Sequence, residues 1–517
     1  MSDSGITRRT FLSGSAAAAI LAGLQGCGGS SDVSGGAAAS GSAAGDGVAS
    51  RMPGSLPNPS VAAGTADATL PFDRIVVVMM ENHSFDGHLG MLSVRGQPKA
   101  DGLTLNASQI PTNSNPLDGG YQKSFHMQGT CQPGGVTQSW DASHTQIDGG
   151  KMDGFAATSN TAMGYWDESD LPFYYSLAKT FCLGNRSFCS VPAQTYPNRR
   201  FLYSGTAMGT IATNSAGFSL PAPAAGTLMD LLTKYGVSWR NYFTDLPAPV
   251  IIPQNLENHP LNFSPITQFF TDALTGQLPA VSFVDPEFGL IDEVGSILFG
   301  FLDKIPDLPA PITDALNVLR NAVEAQSGSE ENPADVALGE AFVSQVVQAV
   351  MASPTWKSTL LVWTYDEHGG YYDHVPPVSV PEPDSIQPIL ASGDAAGAYN
   401  ITGMRVPTVV VSPYSKPNEV TNVMHDHTSI IATITRKWNL PALTYRDAQA
   451  NTLLDFLDLD SPPFFLTPPQ LAAPAAPTLG LFGCQSTAPA PIISPTASID
   501  LTGQRYTASY QAPPKLA

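Results

Sequence analysis

Basic residues are scarce in this chain. Its 517 residues include 24 Lys and Arg against 44 Asp and Glu, a formal charge of −20. No long basic run follows the extreme N-terminus, so nucleic acid is excluded as a partner. An acidic protein that binds an anionic substrate must gather positive charge locally, through Arg, His or a metal ion.

Cysteine is also scarce, with five residues. No CxxC pair or Cys/His cluster indicates a zinc site. When Cys27 is set aside, four cysteines remain, an even number that suits two disulfides in an oxidising compartment. Three pairings are possible; the local one joins Cys182 to Cys189 and leaves Cys131 to pair with Cys484.

Long apolar runs are missing. The run "SAAAAILAGL" is too short and too rich in Ala and Gly for a secure membrane span. It follows "TRRTFL", and residues 1–27 together resemble a twin-arginine export signal. The signal ends at Cys27 in "LQGC", which is similar to a lipoprotein cleavage box. We therefore expect an exported protein that is periplasmic, tethered to a membrane through a lipid on Cys27, or secreted.

Composition divides the rest of the chain. Residues 28–67 form a Gly/Ser/Ala-rich stretch that predicts a flexible linker. Residues 68–470 carry the folded domain, and residues 471–517, rich in Ala, Pro, Ser and Thr, predict coil on the surface. With 43% hydrophobic residues, the chain can bury a sizeable core.

Short apolar strands alternate with helical stretches. Nearly all-apolar strands separated by helices predict a mostly parallel sheet covered on both faces, a three-layer α/β/α architecture. The predicted strands are "RIVVVMM" (74–80), "VSWRNYF" (237–243), "AVSFVD" (280–285), "TLLVWTYD" (359–366) and "RVPTVVVSP" (405–413). The predicted helices are "AGTLMDLLTKYG", "ADVALGEAFVSQVVQAVMAS" and "DHTSIIATITRKWNL".

Two of these strands end in acidic or amide side chains. Glu81 and Asn82 follow the first strand, and Asp366 and Glu367 follow "TLLVWTY". Ligands bind at the carboxyl ends of parallel strands, so we expect the four side chains at one edge of the sheet. Three carboxylates in one place repel one another unless a cation is present. The oxygen donors favour one divalent ion, Ca²⁺, Mg²⁺ or Mn²⁺ rather than Zn²⁺.

An ordered set of motifs resembles the bacterial phosphoesterase family, which contains nonspecific phospholipases C and acid phosphatases. The resemblance spans residues 72–440 and implies an alkaline phosphatase-like α/β fold. The motifs are "ENHSFDGHLG" (81–90), "SWDASHTQIDGGKMDGF" (139–155), "TYPNR" (195–199), "DEHGGYYDHVPP" (366–377), "RVPTVVVSP" (405–413) and "DHTSI" (426–430).

The resemblance implies roles for individual residues. The metal ligands fall on Glu81, Asn82, Asp366 and Glu367, and the nucleophile falls on Thr195. A metal-activated threonine would form a covalent phosphothreonine, which water then hydrolyses with retention at phosphorus.

Other motif residues are expected to contact the substrate. His144 is the candidate proton donor, and His427 and His374 are further candidates for catalysis. Asn198 and Arg199 are assigned to substrate binding. Asn332 stands where many relatives have a histidine; it can hydrogen bond a phosphoryl oxygen but cannot act as an acid.

Substrate choice stays open at this level. The block at 286–330 contains the apolar "GSILFGFL" and is either an insertion packed on the body or an apolar lid. A lid would favour a phospholipase C acting on phospholipid; otherwise the same site suits an acid phosphatase acting on phosphomonoesters. A third alternative is a surface lipoprotein that binds phosphorylated ligands without hydrolysing them.

Overall fold

A computed structural model of the chain describes residues 51–288, 299–321, 330–477 and 493–496. The predicted export signal, Cys27, Cys484 and most of the 28–67 linker lie outside these ranges. None of the described helices is both long and apolar enough to cross a lipid bilayer.

The described strands form one large sheet and two small ones. The large sheet has the order β12-β6-β11-β10-β1-β9-β7-β8. The strands are β1 Arg74–Met80, β2 Ser114–Leu117, β3 Gly120–Lys123, β4 Phe125–His126, β5 Gly164–Tyr165, β6 Cys182–Gly184, β7 Trp239–Phe243, β8 Phe263–Pro265, β9 Val281–Asp285, β10 Thr359–Tyr365, β11 Thr408–Val411, β12 Val420–Thr421 and β13 Ile493–Ser494.

Helices connect these strands and cover the large sheet. They are α1 Phe85–Leu89, α2 Trp140–Ile147, α3 Phe155–Thr158, α4 Pro172–Thr180, α5 Thr195–Ser204, α6 Leu228–Lys234, α7 Gln254–Asn258, α8 Ile266–Thr275, α9 Ala310–Asn321, α10 Val336–Ala352, α11 His427–Trp438 and α12 Tyr445–Gln449.

Strand β1 shows why the sheet has three layers. Its side chains alternate between two hydrophobic cores, with Val76 and Val78 in one and Ile75 and Val77 in the other. Valines of α10 line the first core, and isoleucines of α11 line the second. A strand that is apolar on both faces needs helices on both sides. The predicted three-layer α/β/α architecture is confirmed.

Strand β11 departs from the parallel pattern. β1 pairs in parallel with β10 and β9, whereas β11 is antiparallel to both β10 and β6. Between β10 and β11 the described chain contains no helix to carry it back across the sheet. Strand β11 therefore starts at the edge of the sheet at which β10 ends and runs in the opposite direction. The sheet is mostly parallel, as predicted, with this one exception.

Residues 51–67 were assigned by composition to the flexible linker, but they are fixed to the body. The Asn58 backbone N–H donates to Asn439 at 2.8 Å, and the Asn439 amide donates to the Val61 carbonyl at 2.8 Å. The Gly54 N–H also bonds the Ala442 carbonyl. Ordered structure therefore begins before residue 68, because partners distant in sequence hold this polar stretch.

The predicted tail is irregular from 471 to 477, but it is not all coil. Ile493 and Ser494 form β13, which pairs antiparallel with Gln122 and Tyr121 of β3. The composition of the tail did not predict this strand, because its backbone hydrogen bonds come from β3, which is distant in the sequence.

The described part of the 286–330 insertion packs on the body. Leu302, Ile312 and Leu316 are buried in the second core, and helix α9 contacts β8 at the edge of the sheet. The first half of "GSILFGFL", residues 295–298, lies outside the described residues. The described residues therefore support the packed alternative.

Of the four disulfide candidates, Cys182 and Cys189 are free thiols, so the local pairing, one of the three possible, is wrong. Cys182 lies in the second core and Cys189 in the first, on opposite faces of the sheet. Seven residues of separation along the chain do not reveal this. The pairing of Cys131 with Cys484 stays a prediction.

Candidate active site

Three neighbouring strands of the sheet end in buried acids. Asp366 follows β10, Glu81 follows β1, and Asp285 is the last residue of β9, and each is at most 2% exposed. The Asp366 N–H donates to the Met80 carbonyl at 3.1 Å, which holds the first two strand ends side by side. The sequence prediction that Glu81 and Asp366 meet at one edge of the sheet agrees with this arrangement.

Arg199 lies among these acids. Its Nε donates to Asp366 Oδ2 at 3.1 Å, and its terminal nitrogens lie 3.7 Å from Glu81 and 3.9 Å from Asp285. It also donates to the carbonyls of Met79 and Met80 at 3.2 Å. The guanidinium is wholly buried. The structure places the guanidinium against the strand ends; the substrate-binding role that the sequence assigned to Arg199 stays a prediction.

Thr195 begins α5, one helical turn before Arg199. Residues four apart share a helix face, so the position of Arg199 also fixes that of Thr195. The Thr195 hydroxyl donates to Asn82 Oδ1 at 3.4 Å and also bonds Asp366. The candidate nucleophile therefore contacts candidate ligands from both strand ends.

Glu367 is held by a tight turn. The Gly369 N–H donates to Glu367 Oε2 at 2.7 Å, and the Glu367 N–H donates to Asp366 Oδ1 at 2.7 Å. Gly369 has φ of +65°, and a Cβ at this position would lie 1.9 Å from the Asn82 carbonyl oxygen. Only glycine allows the turn to approach Asn82 this closely.

Burial makes this cluster costly to charge. It raises the pKa of Asp366, although Arg199 opposes the shift, and it raises the pKa of Asp285 to about 6. Burial, together with the charge of Asp366, raises the pKa of Glu367 well above its usual value. The single guanidinium of Arg199 thus faces several buried carboxyl groups. Because these groups are costly to charge, a further cation would be stabilised here.

The side chains suit a divalent metal. Glu367 Oε1 is buried and has no hydrogen-bond partner among the described residues. A buried carboxylate oxygen without a donor is costly and is a natural metal ligand. Carboxylate and amide oxygens fit Ca²⁺, Mg²⁺ or Mn²⁺. The identity of the metal stays a proposal.

Three other groups of described side chains bring acidic or histidine donor atoms within 4.8 Å of one another. They are His83 with His88 and Glu330, Asp86 with Asp373 and His374, and His126 with Asp167 and Asp170. The chain therefore has several groups that could bind a metal. None of the three contains the four predicted ligands.

In two of these groups, the contacts between the side chains disfavour binding of one shared metal ion. The rings of His83 and His88 are stacked, with centroids 4.0 Å apart and planes 19° from parallel, which is poor geometry for shared coordination of one ion. In the second group, Arg405 already supplies the cation, with bonds of 3.1 Å to Asp86 and 2.9 Å to Asp373.

His374 belongs to this second group rather than to the strand-end cluster. Its Nδ1 lies 2.5 Å from Asp86, and its Nε2 lies 3.5 Å from Asp101. Burial disfavours the charged ring, but these acids outweigh it and raise the pKa of His374 to about 9. The contacts give His374 a bracing position between the first motif and "DEHGGYYDHVPP". Its catalytic role stays a prediction.

His427 lies beneath the strand end. Its Nε2 bonds the Tyr365 carbonyl at 3.0 Å, directly before Asp366, and burial lowers its pKa to about 4. A neutral, buried ring holds β10 and α11 together. Its predicted catalytic role is untested.

His144 lies on α2, whose next turn touches the acidic motif. Its Nδ1 bonds the Trp140 carbonyl at 2.7 Å, and Gly397 packs beside its Nε2. Two residues on, Gln146 Oε1 lies 2.8 Å from His368 Nε2. Helix α2 is thus fastened to the loop that carries Glu367. The proton-donor role of His144 stays a prediction.

The two predicted asparagine contacts differ. Asn198 caps the loop before the nucleophile, because its amide donates to the carbonyls of Val191 and Ala193. Asn332 donates to the Tyr371 hydroxyl at 2.8 Å. Asn198 therefore shapes the Thr195 turn, and Asn332 contacts the acidic motif through Tyr371. Contact of either with substrate is untested.

Sequence reasoning missed Asp285 and His368. Asp285 ends the strand "AVSFVD", and the signal used for Glu81, an acid after a buried strand, also marks it. His368 is buried between Gln146 and Glu367. Only the tertiary structure shows this position, because Gln146 is 222 residues away.

Comparison with known proteins gives a consistent result. The sequence profile described as "Phosphoesterase family" matches residues 72–441. Non-specific phospholipase C1 of Arabidopsis thaliana is 33% identical over 430 residues, covering 76% of this chain and 72% of its own length. Non-specific phospholipase C6 of the same plant is 29% identical, covering 76% and 74%.

A bacterial relative and a solved structure complete the comparison. The non-hemolytic phospholipase C of Burkholderia pseudomallei is 29% identical over 395 residues, covering 71% of this chain and 55% of that protein. A solved protein of the alkaline phosphatase superfamily from Vibrio parahaemolyticus is 11% identical, with a TM-score of 0.29, covering 71% and 78%.

Proposed function

The chain belongs to the Phosphoesterase family and is a phosphoric ester hydrolase, and we propose that it is a metal-dependent phospholipase C with Thr195 as nucleophile. The contact that supports this most directly joins the Thr195 hydroxyl to Asn82 and Asp366, one residue from each of two strand ends. The names of its relatives support the phospholipid substrate. Export by the twin-arginine route remains part of the proposal.

Each group would have a defined task. A divalent ion held by Glu81, Asn82, Asp366 and Glu367 would supply Lewis-acid polarisation and charge neutralisation when bound. Arg199 fixes α5 against the strand ends, so the Thr195 hydroxyl is already oriented before substrate arrives. Preorganisation of this kind removes part of the entropic barrier.

The chain's own residues then carry out a double displacement. Thr195 Oγ1 attacks phosphorus and passes its proton to a nearby base, and the bond to the leaving diacylglycerol oxygen breaks as that oxygen gains a proton. Water hydrolyses the phosphothreonine ester and releases the phosphorylated head group. Two in-line displacements leave the configuration at phosphorus retained.

The test compares three enzymes on two soluble substrates. Thr195→Ala should lower kcat by about 10³-fold or more, because the nucleophile is lost. Thr195→Ser keeps a hydroxyl and is the matched control, which should retain substantial activity. The substrates are p-nitrophenylphosphorylcholine and p-nitrophenyl phosphate, each assayed with chelator and with added Ca²⁺, Mg²⁺ or Mn²⁺.

The outcomes separate the parts of the proposal. Wild-type activity in Thr195→Ala would refute the nucleophile. Turnover that chelator leaves unchanged would refute metal dependence. Hydrolysis of the monoester alone would make the protein an acid phosphatase, a reading that the packed 299–321 segment leaves open. No hydrolysis of either ester with metal present would overturn the catalytic assignment.

A further inference from the structure

One loop exposes three large apolar side chains within five positions. Ile386 is 44% exposed, Ile389 65% and Leu390 37%. We call these three residues the apolar loop. Clustered exposed aliphatic side chains mark a contact surface more often than scattered ones do.

The backbone around the apolar loop is fixed. The Ile389 N–H donates to the Gly209 carbonyl at 2.8 Å. Further along, the Ala395 N–H donates to Asp141 at 2.7 Å, and the Trp140 indole donates to the Ala395 carbonyl at 2.8 Å. Both ends of the segment are tied down, so the side chains project from a supported turn.

The supports of the apolar loop also carry the candidate active site. Asp141 and Trp140 open α2, whose Gln146 reaches His368 beside Glu367. The loop after Gly209 continues to Thr213, whose hydroxyl accepts from the Tyr196 N–H, next to Thr195, at 3.2 Å. The apolar loop therefore bridges the two segments that lead to the acidic motif and to the nucleophile.

The charge of the segment that contains the apolar loop limits which kind of surface it can contact. Residues 378–403 contain Glu382, Asp384 and Asp394 but no Lys or Arg. Attraction to an anionic lipid surface requires basic residues, so an acidic segment is repelled by it. An uncharged or zwitterionic surface can bind the aliphatic side chains of the segment without repelling its acidic residues.

We propose that the apolar loop inserts into the surface of a zwitterionic phospholipid layer and holds the active site over the head groups. This inference rests on the proposed phospholipase function and extends it to how the enzyme reaches a substrate embedded in a bilayer. The buried aliphatic area supplies the binding, and the ties to α2 and Gly209 set the orientation.

The test is vesicle binding by the full chain carrying Ile386→Ser, Ile389→Ser and Leu390→Ser together. Sedimentation with phosphatidylcholine vesicles should show partitioning reduced about tenfold or more, since apolar area is lost. Hydrolysis of vesicle lipid should fall in parallel. Turnover of soluble p-nitrophenylphosphorylcholine should be unchanged, because the three side chains do not touch the strand-end cluster in any described contact.

A matched control removes apolar surface elsewhere. Phe464 and Leu466 are 46% and 54% exposed. Between them, the Phe465 carbonyl accepts from the Trp356 indole at 2.7 Å, just before β10 begins, which places them at the opposite edge of the sheet. Phe464→Ser with Leu466→Ser should bind phosphatidylcholine vesicles as the wild type does.

Several results would overturn the inference. One is wild-type vesicle binding by the loop variant; another is equal loss in the control variant. Tighter binding to phosphatidylglycerol vesicles than to phosphatidylcholine would contradict the charge argument. If the wild type is a dimer that the loop substitutions dissociate, the apolar loop is a subunit interface instead. Absence of soluble turnover would refute the proposed function, whereas vesicle binding tests the loop separately.

Discussion

At the scale of single residues, Arg199 has the largest structural role at the site. It is the cation that contacts Asp366, Glu81 and Asp285 in the described structure. Burial acts to lower its pKa, but these acids outweigh it and leave the pKa above its usual value, so the group stays charged. A buried carboxylate whose cation is removed costs several kcal/mol.

Substituting Arg199→Met should therefore destabilise the protein without metal. We expect the free energy of unfolding in chelator, from urea titration, to fall by about 3–5 kcal/mol. Added divalent metal should then restore part of this loss, because the ion compensates the same carboxylates.

The neighbouring arginine provides the control. Arg200 is equally buried but donates to the carbonyls of Gly217 and Ile251. Arg200→Met should also destabilise the protein, but without the added response to metal. The same metal response in both variants would contradict a specific role for Arg199.

At the scale of elements, the start of α11 depends on one buried ion pair. Asp426 caps the helix and accepts from Arg446 at 2.8 Å. The same guanidinium donates to the carbonyls of Pro381 and Tyr399. The cap therefore joins α11 to α12 and to the chain that leads into the apolar loop.

Asp426→Ala should cost more than the loss of an ordinary cap. It removes a cap, about 1 kcal/mol, and leaves a buried guanidinium without its acid, for a total of about 3–5 kcal/mol. Urea unfolding measures this difference. Ser139, at the cap of α2, contacts no buried cation among the described residues, so Ser139→Ala should cost only about 1 kcal/mol. Equal costs would show that the ion pair adds nothing.

At the scale of the whole molecule, buried titratable groups limit stability on both sides of neutral pH. Burial lowers the pKa of His88 and His368 to about 3 and that of His427 to about 4. In the unfolded chain these rings take up protons below about pH 6.5, and in the folded chain they do not. Their contribution to stability is therefore lost as pH falls from 6.5 towards 3.

Other groups act in the opposite direction. Burial raises the pKa of Glu340 to about 7 and that of Glu330 to about 8, and neighbouring acids raise that of His374 to about 9. A group whose pKa is higher in the folded chain than in the unfolded chain stabilises the fold, and this contribution is complete below the unfolded pKa, near 4.5 for Glu and 6.5 for His. The contribution is lost as pH rises through the pKa of the folded chain.

We therefore expect the free energy of unfolding in chelator to fall as pH rises from 7 to 9, because Glu330 and His374 lose protons in the folded chain there, and to fall as pH drops below about 4, because the buried histidines resist protonation. Urea titrations across this range measure it. Glu340→Gln cannot ionise, so it should lose less stability than the wild type between pH 5 and pH 9. An identical alkaline fall in the variant would contradict the assignment to Glu340.

Much of the fold could be read from the sequence. β1 spans the predicted residues, and the predicted helices at 334–353 and 426–440 contain α10 and α11. The antiparallel β11 and the pairing of β13 could not be predicted, because strand direction and pairing depend on which partner lies alongside. Residues 51–67 were misassigned for the same reason, since distant partners hold them.

The sequence alone determined the chemistry available at the site. An acid or amide after each buried strand predicted Glu81, Asn82, Asp366 and Glu367 at one edge, because parallel strands end together. Only the tertiary structure decided how that chemistry is arranged. Arg199 lies 167 positions from Asp366, and its pairing with the strand ends depends on how α5 packs against the sheet. Such contacts join residues that local pattern cannot relate, and their electrostatics follow from burial, which exists only in the folded chain.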